Sequence, residues 1–185
     1  FYDALHTQLA TQGVDWVKVD NQSSIEMSAA GQGGRVHLSE AYRRALESSC
    51  RKHFAGRLIN CMSCSTEMFL MAEESTVMRT SPDFWPALPE THGKHLYTNA
   101  QVGMWFGQFV HPDWEMFQSS HEMGSFHAAA RAISGSPVYV SDKPDGHDFE
   151  VLRKLVCRDG TVLRCTDVGR PSPDCIFNDP TREDV

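Results

Sequence analysis

The sequence lacks the charge and hydropathy patterns of proteins that bind nucleic acids or cross membranes. Its 185 residues carry 17 Lys and Arg against 24 Asp and Glu, a formal net charge of −7, with no basic cluster. A nucleic-acid or membrane partner is therefore not expected. The most apolar stretch, 102–110, is too short to span a bilayer. The chain has no N-terminal signal pattern and no initiator Met, so we expect it to be part of a longer protein.

Several short catalytic motifs are also absent. The chain has no HExxH metal site, no GxSxG serine-hydrolase turn and no GxGxxG dinucleotide fingerprint after its first strand. One CxxC, from Cys61 to Cys64, has no second copy. We therefore expect reduced, structural thiols and a cytoplasmic location. Without a ligand spacing, the histidines are expected to be core or solvated residues and not metal ligands. They are His92, His95, His111, His121 and His127.

The sequence does contain an alternation of short apolar runs and segments with helical periodicity. Strands are expected at 14–19, 57–62, 76–79, 109–113 and 137–140. Helices are expected at 1–12, 39–54 with Ser39 as N-cap, 66–73, 94–108, 122–133 and 148–156. This order predicts an α/β fold with βαβ units and a parallel sheet. Residues 158–164 predict a hairpin, and 157–185 is expected to begin a separate β domain.

Polar residues at the carboxyl ends of successive strands favour one parallel architecture over another. A doubly wound sheet should carry the missing glycine fingerprint, whereas a (β/α)₈ barrel places its chemistry at strand ends. The strand-end residues are Asp20, Ser63, Arg79 with Asp83, Asp113 and Asp142. They favour a partial (β/α)₈ TIM barrel over 1–156, because a full barrel takes about 250 residues.

Asp20 and Asp83 are the catalytic candidates. Two carboxylates facing one pocket are what cleavage of a glycosidic bond requires, one as nucleophile and one as proton donor. Lys18 lies two residues before Asp20, on the same side of a strand, and could keep Asp20 ionised. An Asp that ends a strand is also a common helix cap or turn residue, and this alternative stays open. The predicted substrate-binding residues are Lys18, Trp16, Ser63, Arg79, Trp114, Asp113 and Asp142.

Several sequence blocks occur in a fixed order along the chain. They are 17–22 (VKVDNQ), 31–35 (GQGGR), 79–84 (RTSPDF), 112–117 (PDWEMF), 127–135 (HAAARAISG) and 137–144 (PVYVSDKP). The series closely resembles the raffinose synthase, seed imbibition protein and alkaline α-galactosidase group within glycoside hydrolase family 36. The resemblance covers nearly the whole chain.

The resemblance implies a (β/α)₈ catalytic domain, represented here from about its third helix and fourth strand to its eighth helix. It also implies a retaining mechanism on α-galactosides through a covalent galactosyl-enzyme. Asp20 falls on the family's nucleophile in its Lys-x-Asp motif, and Asp83 falls on the acid/base, four residues after Arg79. No metal or organic cofactor is implied, and the partners are a small α-galactoside and a sugar or water acceptor. In isolation, this stretch of chain is expected to be inactive.

Some positions depart from the group's pattern. Pro82-Asp83 stands where the group usually has two adjacent acids. Cys64 and Glu67 stand where plant members usually have His and Asp, and Glu115 stands where Asp is common. Three functions therefore stay open: a galactosyltransferase of raffinose-synthase type, an α-galactosidase, and a catalytically silent carbohydrate-binding or structural relative.

Overall fold

Short strands alternate with helices along the chain, of which a computed structural model describes residues 1–182. The helices are α1 (Tyr2–Thr11), α2 (Arg35–Phe54), α3 (Thr66–Leu70), α4 (Pro89–Phe106), α5 (Gly124–Ser134) and α6 (Phe149–Leu152). The strands are β1 (Val17–Val19), β2 (Leu58–Asn60), β3 (Val77–Arg79) and β4 (His111–Asp113). Three short 3₁₀ helices cover Gln22–Ser28, Arg153–Leu155 and Pro173–Cys175. The predicted α/β class is confirmed. Within 1–182, no helix combines the length and apolarity needed to cross a membrane.

The chain divides into two compact units, one from Phe1 to Arg79 and a second that begins at Thr80. The first unit is built on a parallel sheet in which β2 lies between β1 and β3. All three residues of β2 are buried, as expected for a strand covered on both faces. Because parallel strands end at the same edge of a sheet, the residues that follow β1, β2 and β3 share one edge.

Helix α2 packs against this sheet through an apolar cluster and a buried polar network. The cluster contains Leu46, Cys50, Phe54 and Leu58. In the network, Arg43 Nη1 donates to Gln22 Oε1 and to Asn60 Oδ1, both at 2.7 Å.

Glu47, one turn further along α2, completes this network. Arg43 Nη2 donates to Glu47 Oε1 at 3.0 Å, and the Ser75 hydroxyl donates to the same oxygen at 2.6 Å. Glu47 Oε2 accepts two backbone amides of the loop before β3, each at 3.1 Å. Arg43 is 1% exposed and Glu47 is 4% exposed. The α2 ion pair is thus a buried and heavily hydrogen-bonded one.

The second unit contains β4 and the helices α4, α5 and α6. Its apolar cluster is formed by Phe117, Ala128, Val151 and Leu155. The predicted strand at 137–140 is wrong, because only Val140 pairs, in a single parallel bridge with Phe117. The predicted hairpin at 158–164 is present as a turn closed by one antiparallel bridge between Val156 and Val162.

Two predicted helix starts are wrong. Helix α2 begins at Arg35 with Gly34 as its N-cap, whereas Ser39 lies buried inside the helix. Gly34 has a φ of 88°, which a glycine adopts without strain, so the chain turns into the helix there. Helix α4 begins at Pro89, before the predicted residue 94, because proline suits the first helical position. Helices α1 and α5 lie within two residues of their predicted bounds.

Candidate active site

Asp20 directly follows β1 at the carboxyl edge of the sheet in the first unit. Its side chain is exposed. The amide of Asn21 donates to Asp20 Oδ1 at 2.6 Å, and the Cys61 thiol donates to the same carboxylate. Asn21 has a φ of 57°, the left-handed conformation that asparagine tolerates. An accessible carboxylate is therefore held by two donors at the end of a strand.

Cys61 faces Asp20 because of the register between β1 and β2. Val19 pairs with Asn60, so the next residue of each strand comes opposite the other. The Cys61 amide donates to the Val19 carbonyl at 2.9 Å, and its carbonyl accepts from the Gln22 amide at 3.5 Å. Cys61 is 4% exposed. All six cysteines are free thiols, as predicted, but the sequence pattern does not predict the contact of the Cys61 thiol with Asp20.

The surroundings of Asp20 favour its ionised form. Partial burial raises the pKa of Asp20, but several effects together outweigh it and leave the pKa below its ordinary value. The hydrogen bonds from Cys61 and Asn21 act most strongly, followed by the positive charges of Lys18 and Arg79. Burial raises the pKa of the Cys61 thiol, and its hydrogen bond to Asp20 raises it further, so the thiol keeps its proton. The site thus pairs a carboxylate with a neutral thiol donor.

The other predicted residues of the first unit divide between the two ends of the strands. Lys18 and Arg79 lie close enough to Asp20 to act on its pKa, so the structure brings these three together. Ser63 lies just beyond β2, is fully buried, and its hydroxyl has no hydrogen-bond partner within 1–182. Trp16 is 42% exposed but precedes β1, roughly 13 Å along the strand from Asp20. The structure therefore does not place Trp16 at the edge that carries Asp20.

Asp113 and Asp142, in the second unit, both hold backbone in place. Asp113 ends β4 and is fully buried. Its Oδ1 accepts from the Glu115 amide at 3.1 Å, and its Oδ2 accepts from the Tyr139 hydroxyl at 2.8 Å. Asp142 Oδ1 accepts from the Ser119 amide at 2.8 Å, and its Oδ2 accepts from the Ser119 hydroxyl at 2.6 Å. The two carboxylates thus lie on neighbouring segments, 113–119 and 139–142, and both join those segments.

Trp114 is 4% exposed, and its ring packs against the backbone of Gly169. It lines an apolar cavity of about 610 Å³ together with Tyr97 of α4 and Phe126 of α5. The indole Nε1 is buried without a hydrogen-bond partner among the residues described. Trp114, which the sequence suggests as a sugar-stacking residue, is therefore buried beside helices α4 and α5 of its unit.

Asp83 lies in the loop between β3 and α4, and its side chain is exposed. The next residue, Phe84, packs against the rings of His92, His95 and His127, which are each 1% exposed. These three histidines are core residues, as predicted. No group of three or more His, Cys, Asp or Glu in residues 1–182 is placed to hold a metal ion.

Comparison with known proteins agrees with the motif blocks. The sequence profile of the family described as "Raffinose synthase or seed imbibition protein Sip1" matches residues 1–185. The chain belongs to this family. The resemblance drawn from the sequence is thereby confirmed.

Relatives in the raffinose synthase family are similar to the whole of this chain. The chain is 49% identical over 184 residues to probable galactinol–sucrose galactosyltransferase 1 of Arabidopsis thaliana, covering 99% of the chain and 24% of that relative. It is 47% identical over 186 residues to probable galactinol–sucrose galactosyltransferase 6 of the same plant, covering 100% and 25%. The chain thus spans about a quarter of the length of these curated relatives.

A solved structure is similar to this family member in fold. It is the α-galactosidase TtGalA from Thermus thermophilus in complex with stachyose, with a TM-score of 0.57 and 15% sequence identity. The match covers 83% of this chain and 36% of the other. At this identity the likeness concerns the fold, and it agrees with an α/β chain of parallel strands and helices.

Proposed function

We propose that the chain is part of a (β/α)₈ catalytic barrel in an enzyme that transfers or hydrolyses α-galactosyl groups with retention of configuration. The observation that carries the proposal is Asp20, an exposed carboxylate at a strand end whose donors favour its ionised form. Membership of the raffinose synthase family supports it. In this proposal 1–156 belongs to the barrel and 157–185 begins a following β domain.

Asp20 is the proposed nucleophile and Asp83 the proposed acid/base. Asp20 attacks the anomeric carbon of an α-galactoside and forms a galactosyl ester, while Asp83 gives its proton to the departing glycosidic oxygen. Asp83 then takes a proton from the hydroxyl of the acceptor, which attacks the same carbon and breaks the ester. Each step inverts the anomeric centre, so the product keeps the α configuration.

The neighbours of Asp20 have defined roles in this scheme. Lys18 and Arg79 keep the nucleophile ionised by their positive charge and are proposed to bind sugar hydroxyls. The Cys61 thiol donates to the carboxylate and limits how it can rotate. A small α-galactoside is the proposed donor, with a sugar or water as acceptor. The six free thiols fit a reducing compartment, so we propose the cytoplasm as the location.

Replacement of Asp20 in the full-length enzyme tests the nucleophile. Asp20→Asn should lower turnover by at least about 1,000-fold, because the amide cannot form the ester. Azide should rescue Asp20→Gly and give a β-galactosyl azide, since the small anion attacks once from the vacated face. Asp15→Asn, at an exposed acid before β1, is the matched control and should keep full activity. Normal turnover by Asp20→Asn would remove the assignment.

Transfer and hydrolysis are separated by the acceptor. The enzyme is given galactinol with and without sucrose, and the sugars formed are identified. A trisaccharide that appears only with sucrose supports a galactosyltransferase, whereas galactose release that sucrose does not change supports an α-galactosidase.

A catalytically silent carbohydrate-binding relative is the second candidate. Cys64 and Glu67, which depart from the group's pattern, support it because both side chains are engaged by other groups of the protein. The Cys64 thiol donates to the Arg79 carbonyl at 3.4 Å, and Glu67 pairs with Arg35 Nε at 2.6 Å. A mechanism-based galactosyl inhibitor that labels Asp20 would exclude this candidate. Galactose binding without labelling would favour it.

A further inference from the structure

The backbone on the amino side of Asp83 is fixed by His95 of α4. His95 Nε2 lies 3.1 Å from Arg131 Nη2, which can only donate, so Nε2 accepts from it. The proton of a neutral His95 is then on Nδ1, which donates to the Pro82 carbonyl at 2.9 Å. His95 is 1% exposed and Arg131 is fully buried. The Pro82 carbonyl is thus bound to a ring that is itself enclosed.

Two further histidines hold the backbone on the carboxyl side of Asp83. The Pro86 carbonyl accepts from His92 Nε2 at 3.2 Å and from His121 Nε2 at 3.0 Å. The Met123 amide donates to His121 Nδ1 at 3.0 Å. This leaves the proton of a neutral His121 on Nε2, where it faces the carbonyl.

His127 of α5 fixes the proton position of His92. Arg131 Nη1 can only donate, so His127 Nδ1, at 2.7 Å, accepts from it. The proton of a neutral His127 is then on Nε2 and is donated to His92 Nδ1 at 2.6 Å. His92 in turn carries its proton on Nε2, towards Pro86. Burial, followed by the charge of Arg131, lowers the pKa of His127 to about 3, so this ring is neutral at ordinary pH.

Phe84 anchors the middle of the loop to the same histidines. Its ring centroid lies 4.4 Å from that of His127 and 5.1 Å from those of His92 and His95. These are normal distances for packed aromatic rings. Asp83 thus stays exposed while the residues on both sides of it are held.

We propose that His92, His95 and His121 are positioning residues that place Asp83 for proton transfer to the leaving group. This inference rests on the proposed function. General acid catalysis contributes roughly 10² to 10⁴ in rate, and a displacement of about 1 Å can cost about 100-fold. Loosening the loop therefore slows the departure of a sugar, which must be protonated. An activated aryl leaving group departs without that proton, so the rate of its departure should change little.

His121→Phe in the full-length enzyme tests the proposal. Phenylalanine can keep the stacking of His121 on His92 but cannot donate to Pro86. The measurement is kcat/KM, which reports the galactosylation step, on galactinol and on 2,4-dinitrophenyl α-galactoside. We expect a loss of at least about 10-fold on galactinol and less than about 3-fold on the aryl substrate. His121→Gln, whose amide N–H can replace the Nε2 donor, should restore galactinol activity to within about 3-fold of wild type.

The outcomes separate the inference from the proposed function. Equal losses on both substrates, or no loss on galactinol, would overturn the positioning role. If the phenylalanine variant does not fold, His121→Asn removes the same bond with a polar side chain that ends short of Pro86. Asp83→Ala is measured in parallel and should show the same selective loss on galactinol. If it does and the His121 variants do not, only the positioning role fails. Without selectivity in Asp83→Ala, the acid/base assignment fails and the positioning role fails with it.

Discussion

Removal of the buried Glu47 carboxylate should strongly destabilise the fold. Glu47→Ala leaves the Arg43 guanidinium buried without its counter-charge, and it also removes the acceptor of two loop amides. Breaking a buried ion pair from one side costs about 3 to 5 kcal/mol. For the proposed barrel of about 250 residues, the unfolding entropy would be near 0.5 kcal/mol/K, so we expect the Tm to fall by roughly 6 to 10 °C.

A second Glu–Arg pair on the same helix provides a matched control. Glu40 Oε1 and Arg44 Nη2 are 2.7 Å apart at the same four-residue spacing, but their side chains are 43% and 70% exposed. An exposed pair of this kind contributes about 0 to 1 kcal/mol, so Glu40→Ala should lower the Tm by less than about 2 °C. Both variants are measured in the full-length enzyme by thermal denaturation followed by circular dichroism.

The comparison of the two variants decides the argument. If Glu47→Ala and Glu40→Ala melt within about 2 °C of each other, burial does not strengthen the Arg43–Glu47 pair as argued. Glu47→Gln should fall between Glu47→Ala and the wild type, because its side-chain oxygen can still accept hydrogen bonds.

Two further changes test the surroundings of Asp20 and the end of α5. Cys61→Ala removes a donor that lowers the pKa of Asp20, so the acidic limb of the kcat/KM–pH profile should move to higher pH. Cys61→Ser keeps a donor and should largely restore the wild-type profile. An acidic limb that does not move in Cys61→Ala would contradict a hydrogen bond between Cys61 and Asp20. Gly135→Ala forces a side chain into a φ of 73° and against the Asp167 carbonyl, so it should cost about 2 kcal/mol or more. Gly160 has a φ of 88° and open space around it, so Gly160→Ala should lower the free energy of unfolding by only about 1 to 2 kcal/mol. Equal Tm values for the Gly135→Ala and Gly160→Ala variants would show that the contact with the Asp167 carbonyl adds no destabilisation.

The order of elements could be predicted from the sequence because local signals mark it. Helix α5 ends at Ser134, one residue after the predicted end, since Gly135 is left-handed there. The apolar pattern predicts a strand at 14–19 before Asp20, yet only Val17–Val19 pairs. An apolar run shows that a strand is present, but the length of its ladder depends on neighbours that lie far away in sequence.

The buried polar contacts could not be predicted in the same way. Arg43–Glu47 and Arg44–Glu40 have the same spacing along α2, and only the face that meets the sheet makes one of them internal. The contact between Cys61 and Asp20 depends on the register of β1 against β2, which the spacing of apolar residues does not define. The roles of these side chains are therefore set by tertiary packing.

A chain of hydrogen bonds runs from Arg131 through His127 and His92 to the Pro86 carbonyl, and every bond in it has the same direction. Arg131 can only donate and the carbonyl can only accept. His127 and His92 fit between them because a neutral imidazole donates with one nitrogen and accepts with the other. Replacement of either ring by a side chain that cannot both donate and accept would leave a buried donor or acceptor without its partner. In an alignment of the family, we therefore expect Arg131, His127 and His92 to be conserved together or replaced together, although they lie on two different helices.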